Sequence, residues 1–258
     1  MGILDGKCGI VTGAAQGFGR ATAERMCEEG ARVALVDVQI NQVIAAADEL
    51  RVKGYDVMSI VADVSDETDT GHMIREAHAV FGRLDFIHQN AAIQIEKLLH
   101  ETTPEEWDRV FAVNLRSMYL GARAIIPIMM AQGGGTIVNS ASVLSMTADQ
   151  ILPAYTASKH GVLGLTRAIA VTEAYARAGI RCNCICPGDI QTPMVERYWA
   201  ASPEPAKARA ETESHYPAKR IGTPREMADV VCFLVSDLST FVNGAQITVD
   251  GGVTAKVY

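Results

Sequence analysis

The chain has no long run of lysine or arginine and no apolar run of the ~18 residues a membrane span requires. It also lacks a histidine at ligand spacing after its cysteine cluster. Each absence removes a class of function. A formal net charge of −7 without a basic cluster argues against nucleic acid or an anionic membrane as partner. Met1 to Asp5 lacks a basic region followed by an apolar stretch, so no secretory leader is expected. Six cysteines occur, and three of them alternate as Cys182, Cys184 and Cys186. Alternation along a strand puts all three on one face, where small thiols fill a core, and no histidine follows at ligand spacing. No metal is expected, and unpaired buried thiols fit a reducing, cytoplasmic setting. No repeat or low-complexity tract interrupts the sequence.

What is present is alternation of a coarser kind. At 258 residues and 48% hydrophobic composition the chain can build one large core. Strand-length apolar runs (Cys8–Val11, Arg32–Val36, Val57–Ala62, Leu84–Ile87, Thr136–Asn139, Ile180–Cys186, Gln246–Val249) alternate with helical stretches. That order predicts an α/β fold, a mostly parallel sheet covered on both faces. One helix is expected from Pro104 through Met130, with Thr103 as cap, and another from Ala154 to Ala178. Residues 194–223 break the rhythm and read as a partly helical insertion over the site, because long loops in compact domains are usually lids or binding segments. Residues 1–258 otherwise read as a single domain.

Chemistry-bearing residues gather where the runs end. Thr12-Gly13-Ala14-Ala15-Gln16-Gly17-Phe18-Gly19 follows the first strand and opens a helix. Such a turn is an anion site, since free N–H groups and the helix dipole face it and glycines let the backbone approach a pyrophosphate. Asp37 closes the second strand, where a carboxylate can accept both hydroxyls of an adenosine ribose and would repel a 2′-phosphate. NAD is therefore expected rather than NADP. Asp63 ends the third run and could instead cap the next helix. Tyr155 and Lys159 stand four apart, so on a helix the phenol and the ammonium share a face. A phenol titrates near ~10, and a nearby cation is expected to lower that by ~1–3 units, which suits a general acid/base.

Taken together, these residues resemble the short-chain dehydrogenase/reductase family over essentially the whole chain. Thr12 to Gly19 matches its TGxxxGxG turn and Asp63-Val64 its adenine-contacting pair. Ser142, Tyr155 and Lys159 match its Ser…Tyr-x-x-x-Lys signature, and Asn114 falls at its catalytic Asn. Pro187-Gly188 and Thr192 match the segment that holds the nicotinamide. Two positions depart: Ala92 and Ser145 stand where glycine is common. The resemblance implies a doubly wound Rossmann-type domain with a seven-stranded parallel sheet, often assembled as a homotetramer or homodimer across the Tyr-bearing helix. It implies Tyr155 as acid/base, Lys159 lowering its pKa and bonding the nicotinamide ribose, Ser142 on the substrate oxygen, and Asn114 placing a water beside Lys159. Gly13, Gln16, Gly17, Phe18 and Gly19 would surround the phosphates. Asp37, Asp63 and Val64 would hold the adenosine, and Asn90, Pro187, Gly188, Ile190 and Thr192 the nicotinamide side.

The expected activity is hydride transfer between NAD(H) and a medium-sized secondary alcohol or ketone, a small-molecule substrate. Enoyl reduction usually goes with a wider Tyr–Lys spacing in this family. A catalytically idle nucleotide sensor is the alternative from another class, since fold does not fix function. Around Tyr155 the expected pocket mixes Ile93, Leu144, Met146 and Met194 with Gln94, Gln150 and Asp189, which suits an apolar body with one or two polar groups.

Overall fold

Strand β1 (Cys8–Thr12) is buried along its whole length, which is why it reads as a continuous apolar run. A computed structural model describes residues 2–256; Met1, on which the leader expectation partly rests, lies outside them. The turn after β1 opens helix α1 (Gly17–Glu28), and β2 (Arg32–Asp37) returns beside β1 in parallel, Cys8 opposite Arg32 and Thr12 opposite Val36. The alternation continues through α2 (Ile40–Val52), β3 (Val57–Val61), α3 (Glu67–Phe81) and β4 (Phe86–Gln89). After β4 come α4 (Pro104–Phe111), α5 (Ser117–Gln132), β5 (Gly135–Ser140), α6 (Pro153–Ala170), α7 (Glu173–Arg177) and β6 (Ile180–Pro187). Helices α8 (Pro193–Ala201), α9 (Pro205–His215) and α10 (Pro224–Val235) precede β7 (Gln246–Val249).

Among the described residues the sheet has seven strands, all parallel, in the order β3-β2-β1-β4-β5-β6-β7. The order reverses between β1 and β4, and a doubly wound sheet opens a crevice at the carboxyl ends of its strands at that point. Helices α1, α2 and α10 pack one face through Met26, Leu50 and Val231, and α3, α5 and α6 the other through Ile74, Ile125 and Ile169. Phe86 and Ile87 point to opposite faces and are fully buried, each stabilising by roughly 1.5–3 kcal/mol. A charge at Val231, wedged between α10 and the sheet, would undo one face.

Two expected helices are interrupted. The stretch from Pro104 divides into α4, a π-turn over Ala112–Arg116 and α5. It starts as expected, on a capping box between Thr103 and Glu106. The Tyr-bearing helix stops at Ala170, and α7 restarts at Glu173. Val171 and Thr172, both weak helix formers, fill the break, and the Thr172 hydroxyl bonds back to Ala168 O at 2.9 Å. The 194–223 insertion folds as α8 and α9 over an apolar cluster of Val195, Trp199, Tyr216 and Ile221. Trp199 Nε1 donates to Thr212 Oγ1 at 3.1 Å and ties the two helices together.

Candidate active site

The glycine turn is held to the sheet's fourth strand. Gly13 has φ +65, and a Cβ there would come within 2.9 Å of Ala91 Cα. A Cβ on Gly19 would meet Gly13 O at 2.2 Å, so α1 can approach its own turn only with glycine at that position. Asn90 locks the junction: its N–H donates to Thr12 Oγ1 at 2.9 Å and its Nδ2 to Thr12 O at 3.1 Å. No side chain caps α1 and no acid lies in its first turn, so its free N–H groups face the crevice unneutralised. Asp37 stands beside this turn, 7% exposed, accepting from Ala15 N at 3.1 Å and Gln39 N at 3.0 Å. A mononucleotide diphosphate fits such a cradle in charge and in backbone clearance. Asp63 does not cap α3. That place belongs to Asp66, which accepts from Thr68 N and Asp69 N, while Asp63 Oδ1 takes Ser65 N and Ser65 Oγ. Val64 is buried beside it.

Tyr155 and Lys159 do share a face, with Lys159 Nζ 5.3 Å from the phenol ring centroid. Lys159 is 1% exposed and donates to Ser140 O at 2.6 Å. Burial lowers its pKa to about 8, opposed by the nearby Cys186 and Cys184 thiols. Burial also dominates at Tyr155, whose phenol is pushed up to about 12, with Ser142 pulling it down and Asp189 adding to the rise. The expected lowering by Lys159 is therefore outweighed: both groups are desolvated, and desolvation favours the neutral form of each. Ser142 is 8% exposed, and its Oγ accepts Leu144 N at 3.1 Å, which leaves the hydroxyl proton free to donate. Ser145 explains its departure from glycine, because its Oγ accepts Ser142 N at 3.2 Å and pins that backbone.

Asn114 sits in the π-turn and is fully buried. Its Oδ1 accepts Ile93 N at 2.9 Å, and its Nδ2 donates to Ile93 O at 2.9 Å and Ser158 Oγ at 3.1 Å. Ser158 Oγ in turn donates to Tyr155 O at 2.7 Å. The amide is thus spent on holding the first turn of α6 against the 91–94 segment.

Behind Lys159 lies a group the sequence did not single out. Ser140 Oγ gives its proton to Asn90 Oδ1 at 3.3 Å and so accepts from His88 Nε2 at 2.9 Å. His88 is fully buried, edge-on to Phe18 with ring centroids 5.1 Å apart, and its Nδ1 has no partner among the described residues. Burial and the Lys159 charge lower its pKa to about 3. His88 and Ser140 gave no signal in one chain, since they are joined only across the strands. Tyr216 was missed for the same reason: 27 residues past Asp189, its hydroxyl donates to Asp189 Oδ2 at 2.9 Å.

Beyond β6, Gly188 N bonds Val249 O at 3.1 Å and Ile190 bridges Gly222. Thr192 opens α8 as its N-cap residue, and a Cβ on Gly17 would lie 3.4 Å from Thr192. The glycine turn and the Pro187–Thr192 segment thus flank one crevice. The hollow of about 770 Å³ lined by Arg83, Asp85 and Arg181 is at the opposite, amino-terminal edge of the strands, away from Tyr155.

Residues 13–254 match a family model described as enoyl-(acyl carrier protein) reductase. The chain is 41% identical to 2-(R)-hydroxypropyl-CoM dehydrogenase of Xanthobacter autotrophicus, over 96% of this chain and 99% of that one. It is also 41% identical to levodione reductase of Leifsonia aquatica, over 95% of this chain and 93% of that one. A crystal structure of levodione reductase superposes with a TM-score of 0.94 at 39% identity, covering 99% of this chain and all of the other.

Proposed function

Because the chain belongs to the short-chain dehydrogenase/reductase family and is an oxidoreductase of its secondary-alcohol and ketone branch, we propose that it uses NAD(H) on a medium-sized secondary alcohol or ketone. The observation that carries this reading is the convergence of Tyr155, Lys159 and Ser142 at the carboxyl edge of the sheet, beside an uncapped glycine turn. The bound nicotinamide supplies or accepts the hydride; the protein supplies position and proton handling.

In ketone reduction the neutral Tyr155 phenol donates its proton to the carbonyl oxygen while Ser142, its own acceptor lone pair spent on Leu144 N, donates a hydrogen bond to the same oxygen. In alcohol oxidation the phenolate is required; the Lys159 ammonium beside the ring favours that form, and an oxidised nicotinamide held in the crevice would add positive charge in the same sense. Asn114 serves by fixing the π-turn and the first turn of α6, so any water it places beside Lys159 rests on backbone rather than on the committed amide. Gly13, Gln16, Gly17, Phe18 and Gly19 hold the phosphates. Asp37, Asp63 and Val64 hold the adenosine, and Asn90, Pro187, Gly188, Ile190 and Thr192 the nicotinamide side. The Asp37 carboxylate at the crevice supports NAD over NADP.

We read α8 and α9 as the lid, two or four copies as the working assembly, and the cytoplasm as the location. No described helix is long and apolar enough to cross a membrane. Nothing in the geometry favours an idle nucleotide sensor, for which a buried Lys159 would be cost without use.

The test is steady-state reduction of NAD⁺ and of NADP⁺ across polyols, hydroxy acids and cyclic and aromatic secondary alcohols. Tyr155→Phe should bind NADH as wild type does and lose about 10²–10⁴-fold in kcat. Near-normal turnover by that variant would remove Tyr155 from its role. Equal efficiency with NADP⁺ would remove Asp37 from its own.

A further inference from the structure

Asp189 enters the cleft two residues after β6 ends, just beyond the stretch that pairs with the Ser140 end of β5. Its main chain is fixed on both sides. Asp189 O accepts Gly222 N at 2.9 Å, and Asp189 N donates to the Tyr216 hydroxyl at 2.5 Å. The same hydroxyl returns its own proton to Asp189 Oδ2 at 2.9 Å. Tyr216 is 4% exposed in the apolar cluster of the insertion, so the clamp on Asp189 is itself immobile. One carboxylate oxygen is thereby held, and among the described residues no group donates to the other, Oδ1. The residue is exposed to solvent, although protein packed about its carboxyl raises the pKa. It lies beyond the carboxyl end of β6, at the edge of the sheet where Ser140 and Lys159 meet, and its negative charge raises the Tyr155 phenol. The other charges acting on it are His215 and Asp149, with no lysine or arginine among them. A lone acceptor, rigidly aimed and unneutralised, is a recognition group without an internal partner.

We propose that Asp189 sets the substrate class: its free Oδ1 accepts a hydrogen bond from a second hydroxyl of the alcohol, and its charge rejects substrates bearing a carboxylate, sulfonate or phosphate near the reacting carbon. The proposal rests on the dehydrogenase reading of the same cleft and deepens it. It also separates this chain from a simple transfer of a relative's substrate, because identity over the whole chain leaves Asp189 to decide. An attractive contact to the right substrate and a repulsive one to the wrong substrate are supplied by the same two oxygens.

Three substrates built on one ring decide it: cyclohexanol, cis-1,4-cyclohexanediol and cis-4-hydroxycyclohexanecarboxylate, assayed at pH 8 with NAD⁺. The wild type should show kcat/KM at least fivefold higher for the diol than for cyclohexanol, and at least tenfold lower for the carboxylate. Asp189→Asn keeps an acceptor for the Tyr216 hydroxyl and removes the charge. It should raise the carboxylate-to-cyclohexanol ratio at least tenfold. A wild type that prefers the carboxylate, or a variant whose ratio is unchanged, overturns the proposal. If Asp189→Asn does not fold, the wild-type ranking still decides. Calorimetric titration of the three compounds into the wild-type NADH complex adds a readout without turnover. A wild type that oxidises no alcohol sinks the dehydrogenase reading, while the order of those affinities, diol tightest and carboxylate weakest or otherwise, still rules on Asp189.

Discussion

His88 shows at single-residue scale what a buried neutral base does to stability. It is fully buried with an Nδ1 unpartnered among the described residues, and its pKa stands near 3 against the ordinary 6.5. Between those values the unfolded chain binds a proton that the folded one does not. Stability therefore rises with pH across that window and is lost as pH falls from about 6.5 toward 3, by at most ~1.4 kcal/mol per pH unit for one proton. His88→Val removes the titration and keeps an apolar side chain. Urea unfolding of both proteins from pH 7.5 to 4.5 should show the wild type losing ground to the variant as the solution is acidified. A difference that stays flat with pH would mean the imidazole is not held neutral. The sequence could not flag this residue, because a histidine at the end of an apolar strand looks the same whether or not a serine faces it from the next strand. Tyr155 and Lys159 were legible because their relation is local, a spacing of four on one helix, whereas Ser142 was legible only through the family resemblance.

Elements were legible where the signal was periodic or carried by a cap, as at Thr103-Pro104. The π-turn was not. One extra residue in a turn leaves the apolar period on either side almost intact, and the cause, Asn114 bonding Ile93, lies 21 residues upstream. π-turns are rare and gather at functional sites, which fits a turn that braces the helix of Tyr155. Asn114→Leu keeps the volume and strips the amide, leaving Ile93 N and O without partners. It should cost about 2–6 kcal/mol in chemical unfolding, at roughly 1–3 kcal/mol for each of the two orphaned groups, and lower kcat as well. Ser158→Ala removes one bond of the same chain and should cost nearer ~1 kcal/mol. Equal, negligible losses in both variants would show that the π-turn is fixed by packing alone.

At the scale of the whole molecule, a parallel sheet covered on both faces followed from the alternation of runs, but the strand order and the surface that meets a second copy did not. The resemblance implies assembly across the Tyr-bearing helix, yet much of the apolar surface of its residues 161–171 is used inside the chain: Val162, Leu163, Ile169 and Ala170 are buried. What remains outward is a small-residue face with Gly164 exposed and nothing within 4 Å of where its Cβ would be. Beside it opens a groove of about 550 Å³ lined by Phe111, Leu115, Tyr119, Gly161 and Leu165. If α6 stays in water, Gly164→Arg gains about 0.8–1 kcal/mol of helix propensity and meets no obstacle. If α6 crosses its own symmetry mate, as the assembly reading holds, the same side chain is driven into a closely packed face and association fails. The expected result is that the wild type sediments as a dimer or tetramer while Gly164→Arg sediments as a smaller species, with a melting temperature that falls and depends less on concentration. A variant with unchanged assembly and a raised melting temperature would place this face in solvent and move the interface elsewhere.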